Sequence, residues 1–584
     1  MRIIEVKKLL PFLLTAALLT GCLTGCGEEP GSPEATNSRS SVSASVSEGK
    51  SEAGSPQAET AVQSENALNG EDLFTKRDLS GEIGTLTASV SFQGQKANIT
   101  GQGVSFSESE AELLITEEGT YELSGTLQNG RIVVDAPEDA KVQLVLAGLT
   151  VNIPESAAIC IRQADKVFVT VKEGSVNYLT GSDTYESSAE TNVDAVIYSK
   201  CDLTINGTGT LNIEAVKGHG IFTKKDLKIA DAELHITSGK HGLAGKNSVR
   251  IASGQITINS AKDGIHSEPK TDDDGNTDPS KGYVYLGGGS LDITTADDGI
   301  HAENLLQIDN GTINIRTSYE GLESKNIIIN NGNITLKAKD DGINAASSKG
   351  SGGFGGRPGA SGPAGSSNSL LITGGQLFID AEGDGIDSNG TLTVTGGEII
   401  VSGPVGNGDS ALDYDMSGQI TGGKVIALGS SGMAMNFGAT STQGSILVNT
   451  QTMNAGTEVT LKDAKGNALL SFTATKPFSS VVVSCPELVK GGTYTLTIGD
   501  QTTEITLEDL IYGSGGGFGG GHGGFGGMGG FEGEHGNRGD RGDLPEGFDG
   551  QFPEGFGGKG ERPEGFGGKG DRPEGFEGKG PGKR

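Results

Sequence analysis

The stretch that decides the fold runs from Ala296 to Ala345, ADDGIHAENLLQIDNGTINIRTSYEGLESKNIIINNGNITLKAKDDGINA. It carries the tripeptide Asp298-Gly299-Ile300 and returns to it twice, as Glu320-Gly321-Leu322 and Asp341-Gly342-Ile343. Between returns lie two apolar, alternating segments joined by Asp-Asn-Gly or Asn-Asn-Gly: LQIDNGTINI (306–315) and IIINNGNITL (327–336). Working outward, the same step recurs at Ile221, Leu243, Ile265, Ile300, Leu322, Ile343 and Ile386, with advances of 22, 22, 35, 22, 21 and 43. The long advances contain insertions, 267–282 (polar, acidic) and 347–369 (Gly- and Ser-rich). Without them the step returns to about 20 residues. Periods of this length belong to stacked supersecondary units. No helical segment of ten periodic residues is present, and a propeller blade needs roughly 40 residues. The sequence therefore predicts an all-β parallel β-helix, about 22 residues per coil, with Gly and Asn taking positive φ at the bends.

The remaining chain divides by composition. Residues 1–26 read as a lipoprotein signal: Arg2, Lys7 and Lys8 precede an apolar run too short to span a bilayer, which ends in Leu19-Thr20-Gly21-Cys22. Cys22 is the expected lipidation site, with Cys26 the alternative, so the chain is expected to be extracytoplasmic and held to the bacterial membrane by lipid alone. Residues 27–84 are Ser- and Glu-rich and read as a disordered linker. The β-helix is assigned to 85–440, a small antiparallel β unit to 441–511, and a Gly-rich low-complexity tail to 512–584. Cys160, Cys201 and Cys485 are too few and scattered for a disulfide framework or a zinc knuckle, and read as buried small hydrophobes. With 44 basic and 75 acidic side chains the net charge is −31, which excludes a nucleic-acid partner.

Stacked coils turn equivalent positions into columns about 4.8 Å apart. Two residues before the repeat Ile or Leu stand His219, His241, Asp263, Asp298, Glu320, Asp341 and Asp384; one residue after it stand Phe222, Ala244, His266, His301, Glu323, Asn344 and Asp387. Carboxylates at that spacing repel by roughly 1 kcal/mol each even in water-like surroundings and call for a cation. Calcium, with six to eight oxygen ligands, suits them. The expected ligands are Asp384, Asp387, Asn389, Asp409, Asp413 and Asp415, with Asp263, Asp298, Glu320 and Asp341 as a second acidic ladder. Asx turns are the alternative for any single residue. His266 and His301 read as solvent-facing, and Asp272-Asp273-Asp274-Gly275-Asn276 as a solvated acidic loop.

The D-G-I rungs, the ending PELVKGGTYTLTIG (486–499) and the Phe-containing Gly-rich tail resemble the clostridial cell-surface carbohydrate-binding proteins. The resemblance spans about 85–511. It implies a right-handed parallel β-helix, pectate-lyase-like in shape, that binds calcium and plant cell-wall polysaccharide, cellulose or acidic pectic sugars, without catalysis. A monomer is expected. The alternatives are a calcium-dependent polysaccharide lyase, for which Lys224, Lys246 and Lys325 were the basic candidates on the ladder, and a non-enzymatic adhesin or wall protein, to which Arg538-Gly539-Asp540 and Arg541-Gly542-Asp543 would speak. Trp is absent and Tyr numbers 10, so an aromatic sugar platform is not expected.

Overall fold

The computed structural model describes residues 67–181, 187–188, 191–272, 277–347 and 368–513. Each repeat contributes three short strands. One of them lies in a 12-stranded sheet that advances in chain order from Val104–Ser107 to Ile386–Ser388. The other two, such as Asn326–Ile329 and Asn333–Ala338, join a 27-stranded sheet. Equivalent strands of successive repeats pair in parallel. Ile221 faces Leu243, Leu243 faces Ile265, Ile265 faces Ile300 and Ile300 faces Leu322. Both insertions are bypassed, since Ile265 pairs directly with Ile300 and Ile343 with Ile386. The result is an all-β body of long parallel sheets, in the manner of a β-helix.

Side-chain alternation drives this arrangement. The repeat Ile and Leu residues point inward, and all seven are no more than 1% exposed. They join one apolar core that runs from Ala88 to Val482. Each such side chain contributes roughly 1.5–3 kcal/mol on burial. β-Branched residues dominate the core because they suit pleated strands covered on their inner face.

The glycines serve two purposes. At the strand-to-strand turns Gly254, Gly311 and Gly332 have φ of 125°, 123° and 125°, as the bend expectation requires. The D-G-I glycines do not. They have ordinary φ, and a methyl group there would strike the next rung: a Cβ on Gly264 would lie 2.6 Å from Gly299 O, and one on Gly299 2.6 Å from Gly321 O. Close approach of backbones, rather than a left-handed turn, is what selects glycine in the repeat tripeptide.

Two boundaries differ from expectation. Residues 67–84, assigned to the disordered linker, form a strap along the outside of the larger sheet. It crosses the coils in reverse order. Leu68 exchanges hydrogen bonds with Gln307, Nε2 of which donates to Leu68 O at 3.0 Å. Arg250 Nη1 donates to Leu73 O at 3.1 Å. Gln143 Nε2 donates to Glu82 O at 2.8 Å. At its centre the short helix Lys76–Ser80, closed by a Thr75–Asp78 capping box, buries Asp78 completely. The Asp78 carboxylate pairs with Lys166 and, at 3.2 Å, Lys228, and accepts from Thr204 at 2.7 Å. Burial alone would raise this carboxyl; the bonds from Lys166, Thr204 and Thr75 outweigh it and hold it well below the usual range. No apolar periodicity marks the strap, because its anchors are polar contacts.

The 441–511 region is divided, and its strands pair antiparallel apart from the parallel contact of Ser445 and Ile446 with Ile511 and Tyr512. Phe478–Ser484 pairs with Lys424–Gly429 and Ser445–Met453, extending the larger sheet. The strands Glu458–Asp463, Ala468–Thr473, Thr493–Ile498 and Gln501–Thr506 form a separate four-stranded sheet, whose Val459, Leu461, Leu496 and Ile498 share a second core with Ile426, Ile446 and Val481 of the larger sheet. Cys160, Cys201 and Cys485 are free and buried. The signal segment with Cys22 and Cys26, residues 273–276 and the Arg-Gly-Asp tripeptides lie outside the described residues. Among the described residues, no helix is long and apolar enough to cross a membrane.

Candidate functional site

The residue after each inward Ile or Leu points outward, and the residue two before it closes the preceding turn. The two positions lie on the same side of the 12-stranded sheet, so both columns merge into one face. His266 is in register with His301, His301 with Glu323, and Asn344 with Asp387. Across the columns, His266 Nδ1 meets Asp263 Oδ2 at 2.6 Å; along one column, His301 Nδ1 meets Glu323 Oε2 at 2.5 Å.

One end of this face is a file of imidazoles. His219, His241, His266 and His301 stack with centroid separations of 5.0, 4.1 and 5.1 Å. The file changes column between His241 and His266, so it is visible in neither column alone. His266 and His301 are half-buried rather than solvent-facing, since stacked rings and neighbouring carboxylates cover them. Lys240 pairs with Asp194, and Lys262 with Asp297 at 3.0 Å, at the rim of an open groove of about 430 Å³. Burial, with His241 and Lys240 nearby, pushes His219 down to about 2. Burial would likewise lower His266 and His301, but the carboxylates bonded to them raise both.

The other end is acidic. Backbone geometry explains part of it: Asp298 N and Glu320 N donate to the carboxylates of Asp263 (3.3 Å) and Asp298 (3.2 Å), and Asp384 N to Asp341 Oδ1 at 2.7 Å. Asp263, Asp298 and Asp341 thus each cap a backbone amide of the next coil, a bond between coils rather than the local Asx turn. His266 and His301 offset the charges of Asp263 and Asp298, while Glu320, Asp341, Asp384 and Asp387 have no basic side chain in ion-pair contact among the described residues. Burial first, then the charges of Glu323, Asp298 and Asp341, raise Glu320. Burial and Asp340 push Asp341 up to about 7. Burial and neighbouring aspartates push Asp384 up to about 8 and Asp387 up to about 9.

The expected calcium ligands are partly gathered. Ile386 bridges Leu412 in parallel, and Asp413 N donates to Ile386 O at 2.8 Å, which makes Asp387 and Asp413 neighbours. Asn389 Nδ2 donates to Asp387 Oδ2 at 2.9 Å. Asp409 and Asp415 are exposed at the margin. Among the described residues, three groups bring three donor atoms within 4.8 Å: His241, Asp263 and His266; Asp263, Asp298 and His301; and Asp298, Glu320 and Glu323. The Asp384–Asp415 set is not among them. The second acidic ladder therefore divides: Asp263 sits among imidazoles, while Glu320 and Asp341 sit among carboxylates. Glu323 belongs to the one all-carboxylate group among the described residues and is absent from the expected ligands, although its place one residue after Leu322 could have revealed it. Asn344 adds an amide oxygen: its Nδ2 donates to Glu320 Oε2 at 3.0 Å, and its Oδ1 is buried without a hydrogen bond.

The model of a family described as carbohydrate-binding domain-containing protein matches residues 109–355. A protein of that description from Acetivibrio thermocellus is 36% identical over 156 residues, which are 26% of this chain and 54% of that protein. The chain thus spans about half the length of this curated relative. A solved structure, titled as the polysaccharide lyase-like protein from C. thermocellum in its gadolinium derivative, is 31% identical. The match covers 43% of this chain and 95% of that one, with a TM-score of 0.36. The resemblance drawn from the D-G-I rungs holds in this family match and its curated namesake.

Proposed function

We propose, taking the carbohydrate-binding family match over residues 109–355 as premise, that this chain binds plant cell-wall polysaccharide through a cation-loaded carboxylate face. The winding we assign is a right-handed coil of about 22 residues. The observation that carries the proposal is the convergence of Asp298, Glu320 and Glu323 within 4.8 Å, beside the unbonded Asn344 Oδ1. Oxygen donors so arranged fit a hard divalent ion, and calcium is the expected one. Asp341, Asp384, Asp387 and Asp413 continue the column, with Asn389, Asp409 and Asp415 at its end. A bound ion would offset the carboxylate repulsion and offer positive charge to a uronate. Without it, a chain of net charge −31 repels acidic pectic sugars.

Binding without catalysis is the favoured reading. A lyase needs a free base beside the metal; of the ladder candidates Lys224, Lys246 and Lys325, Lys246 is held by Glu268 at 3.6 Å, and Lys240 and Lys262 at the groove are each held by a carboxylate. The chain acts as a monomer, anchored outside the cytoplasm through Cys22. Affinity electrophoresis through polygalacturonate tests the mechanism. Retention in calcium should vanish with chelator and fall strongly in Glu320→Gln. Retention that survives both rejects it, and release of unsaturated sugar ends would return the lyase reading. Cys22→Ser should abolish lipid labelling.

A further inference from the structure

The strap of residues 67–84 covers one outward column of the larger sheet. Phe168, Thr204, Lys228, Arg250, Tyr285 and Gln307 stand there in register on successive coils, about 4.8 Å apart. Lys166 lies two residues before Phe168 on the same strand. The polar heads of this column donate, and the strap answers them with oxygens. Gln307 Nε2 donates to Leu68 O at 3.0 Å and Arg250 Nη1 to Leu73 O at 3.1 Å. Thr204 Oγ1 donates to Asp78 Oδ1 at 2.7 Å, and Lys166 and Lys228 grip the same carboxylate. The strap also lays Arg77 over the Phe168 ring at 4.3 Å and Phe74 against Tyr285, with ring centroids 6.3 Å apart.

The core does not need this cover. Within the strap, Leu73 is the only buried apolar side chain. What the strap satisfies is charge. Arg250 has a second carboxylate, Asp226, at 2.7 Å. Lys166 and Lys228 have no ion-pair partner other than Asp78 among the described residues, although Asp202 lies near enough to Lys166 to feel its charge. In a chain of net charge −31, two ammonium groups and a hydroxyl therefore converge on one carboxylate that comes from outside the sheet. Charge-assisted bonds of this kind are the strong ones. Beside them lie the rings of Phe168, Tyr285 and Tyr283, the last under the Arg250 guanidinium at 5.1 Å. Aromatic walls with a few convergent donors are the usual lining of a site for an organic ligand.

We propose that this column is a binding groove for a carboxylate-bearing polysaccharide, a uronate chain, and that the strap occupies it in cis, Asp78 standing where a uronate carboxylate would sit. The proposal rests on the polysaccharide-binding reading but not on the carboxylate face. Here lysines supply the positive charge that calcium would supply there, so binding needs no metal and is blocked while the strap is seated.

Affinity electrophoresis of the full chain through polygalacturonate, with chelator present, is the test. Wild type should run unretarded. Asp78→Ala loosens the strap and vacates the carboxylate position, and its apparent affinity should rise about tenfold or more. Adding Lys166→Gln and Lys228→Gln should remove the gain, and fully methyl-esterified polymer, which lacks the carboxylate, should not retard Asp78→Ala. Circular dichroism identifies a variant that fails to fold. Thr75→Ala, which removes the capping-box hydroxyl bonded to Asp78 at 2.9 Å, then carries the test, with a smaller gain that also requires both lysines. An Asp78→Ala chain that runs as wild type in chelator overturns the proposal, and so does retention that survives loss of both lysines or esterification of the polymer. Glu320→Gln should impair calcium-dependent retention of the wild type and leave the calcium-free retention of Asp78→Ala intact, so the two readings fail separately.

Discussion

Replacing Gly342 by Ala isolates the force that selects glycine in the repeat. In an unconstrained position the change stabilises by about 0.4–1 kcal/mol, because alanine restricts the unfolded chain. Gly342 has no positive φ to lose. Its new methyl group, however, would press into Ile379 Cγ2 and lie 2.5 Å from Gly385 O. The second contact is with backbone that is itself held, since Ile343 N donates to Gly385 O at 3.2 Å. Overpacking costs about 1–3 kcal/mol, and an immobile partner places this case near the upper end. Subtracting the entropic gain leaves a net loss of about 2 kcal/mol. Gly406 is the control, with no atom within 4 Å of its Cβ position and no positive φ, so Gly406→Ala should be neutral or slightly stabilising. Urea unfolding followed by circular dichroism measures both, and hydrogen exchange should show lost protection at 342–345 and 385–388 in the first variant only. A Gly342→Ala protein with the wild-type midpoint, or a Gly406→Ala protein destabilised as much, would refute the close-approach argument.

Asp78→Asn leaves Lys166 and Lys228 facing a neutral amide, and should cost about 3–5 kcal/mol and open residues 67–84 to limited proteolysis. Because the folded Asp78 carboxyl is held below its unfolded value near 3.9, its contribution is complete above about pH 4 and shrinks as pH falls toward the folded value. The stability difference between wild type and Asp78→Asn should therefore narrow in acid; a gap that widens contradicts the assignment. Cys160, Cys201 and Cys485 are buried, and burial, with Glu487 beside it, pushes the Cys485 thiol up to about 12. All three should resist a thiol reagent until denaturant is added, and rapid native labelling of any of them would show that its sheet opens.

The repeat was legible because a parallel stack writes its period directly into the chain: Ile221, Leu243 and Ile265 pair as their spacing implies. The acidic columns were legible for the same reason. Their chemistry was less so. Reading positions one column at a time hid the file of rings, since His241 and His266 occupy different columns and meet only where the turn folds over the strand. It also separated Glu323 from Asp298 and Glu320, which converge across that boundary. The role of glycine in D-G-I is not legible in the sequence, because a local conformational preference and a contact with the next coil select the same residue. The strap escaped notice because Leu68, Leu73 and Phe74 are isolated apolar residues, and its partners stand 59 to 239 positions away.

The strap has a mechanical consequence. Tension arriving from residues upstream of 67 would meet Gln307 first, then Arg250, Lys228, Lys166 and Gln143 in turn. Such a load is applied lengthwise, in shear, and shared among many coils, instead of peeling the terminal one away from its neighbour. A protein tethered at that end and gripping a fibre with its flank would keep its coils together under drag, the strap acting like a seam stitched down the side of a spring.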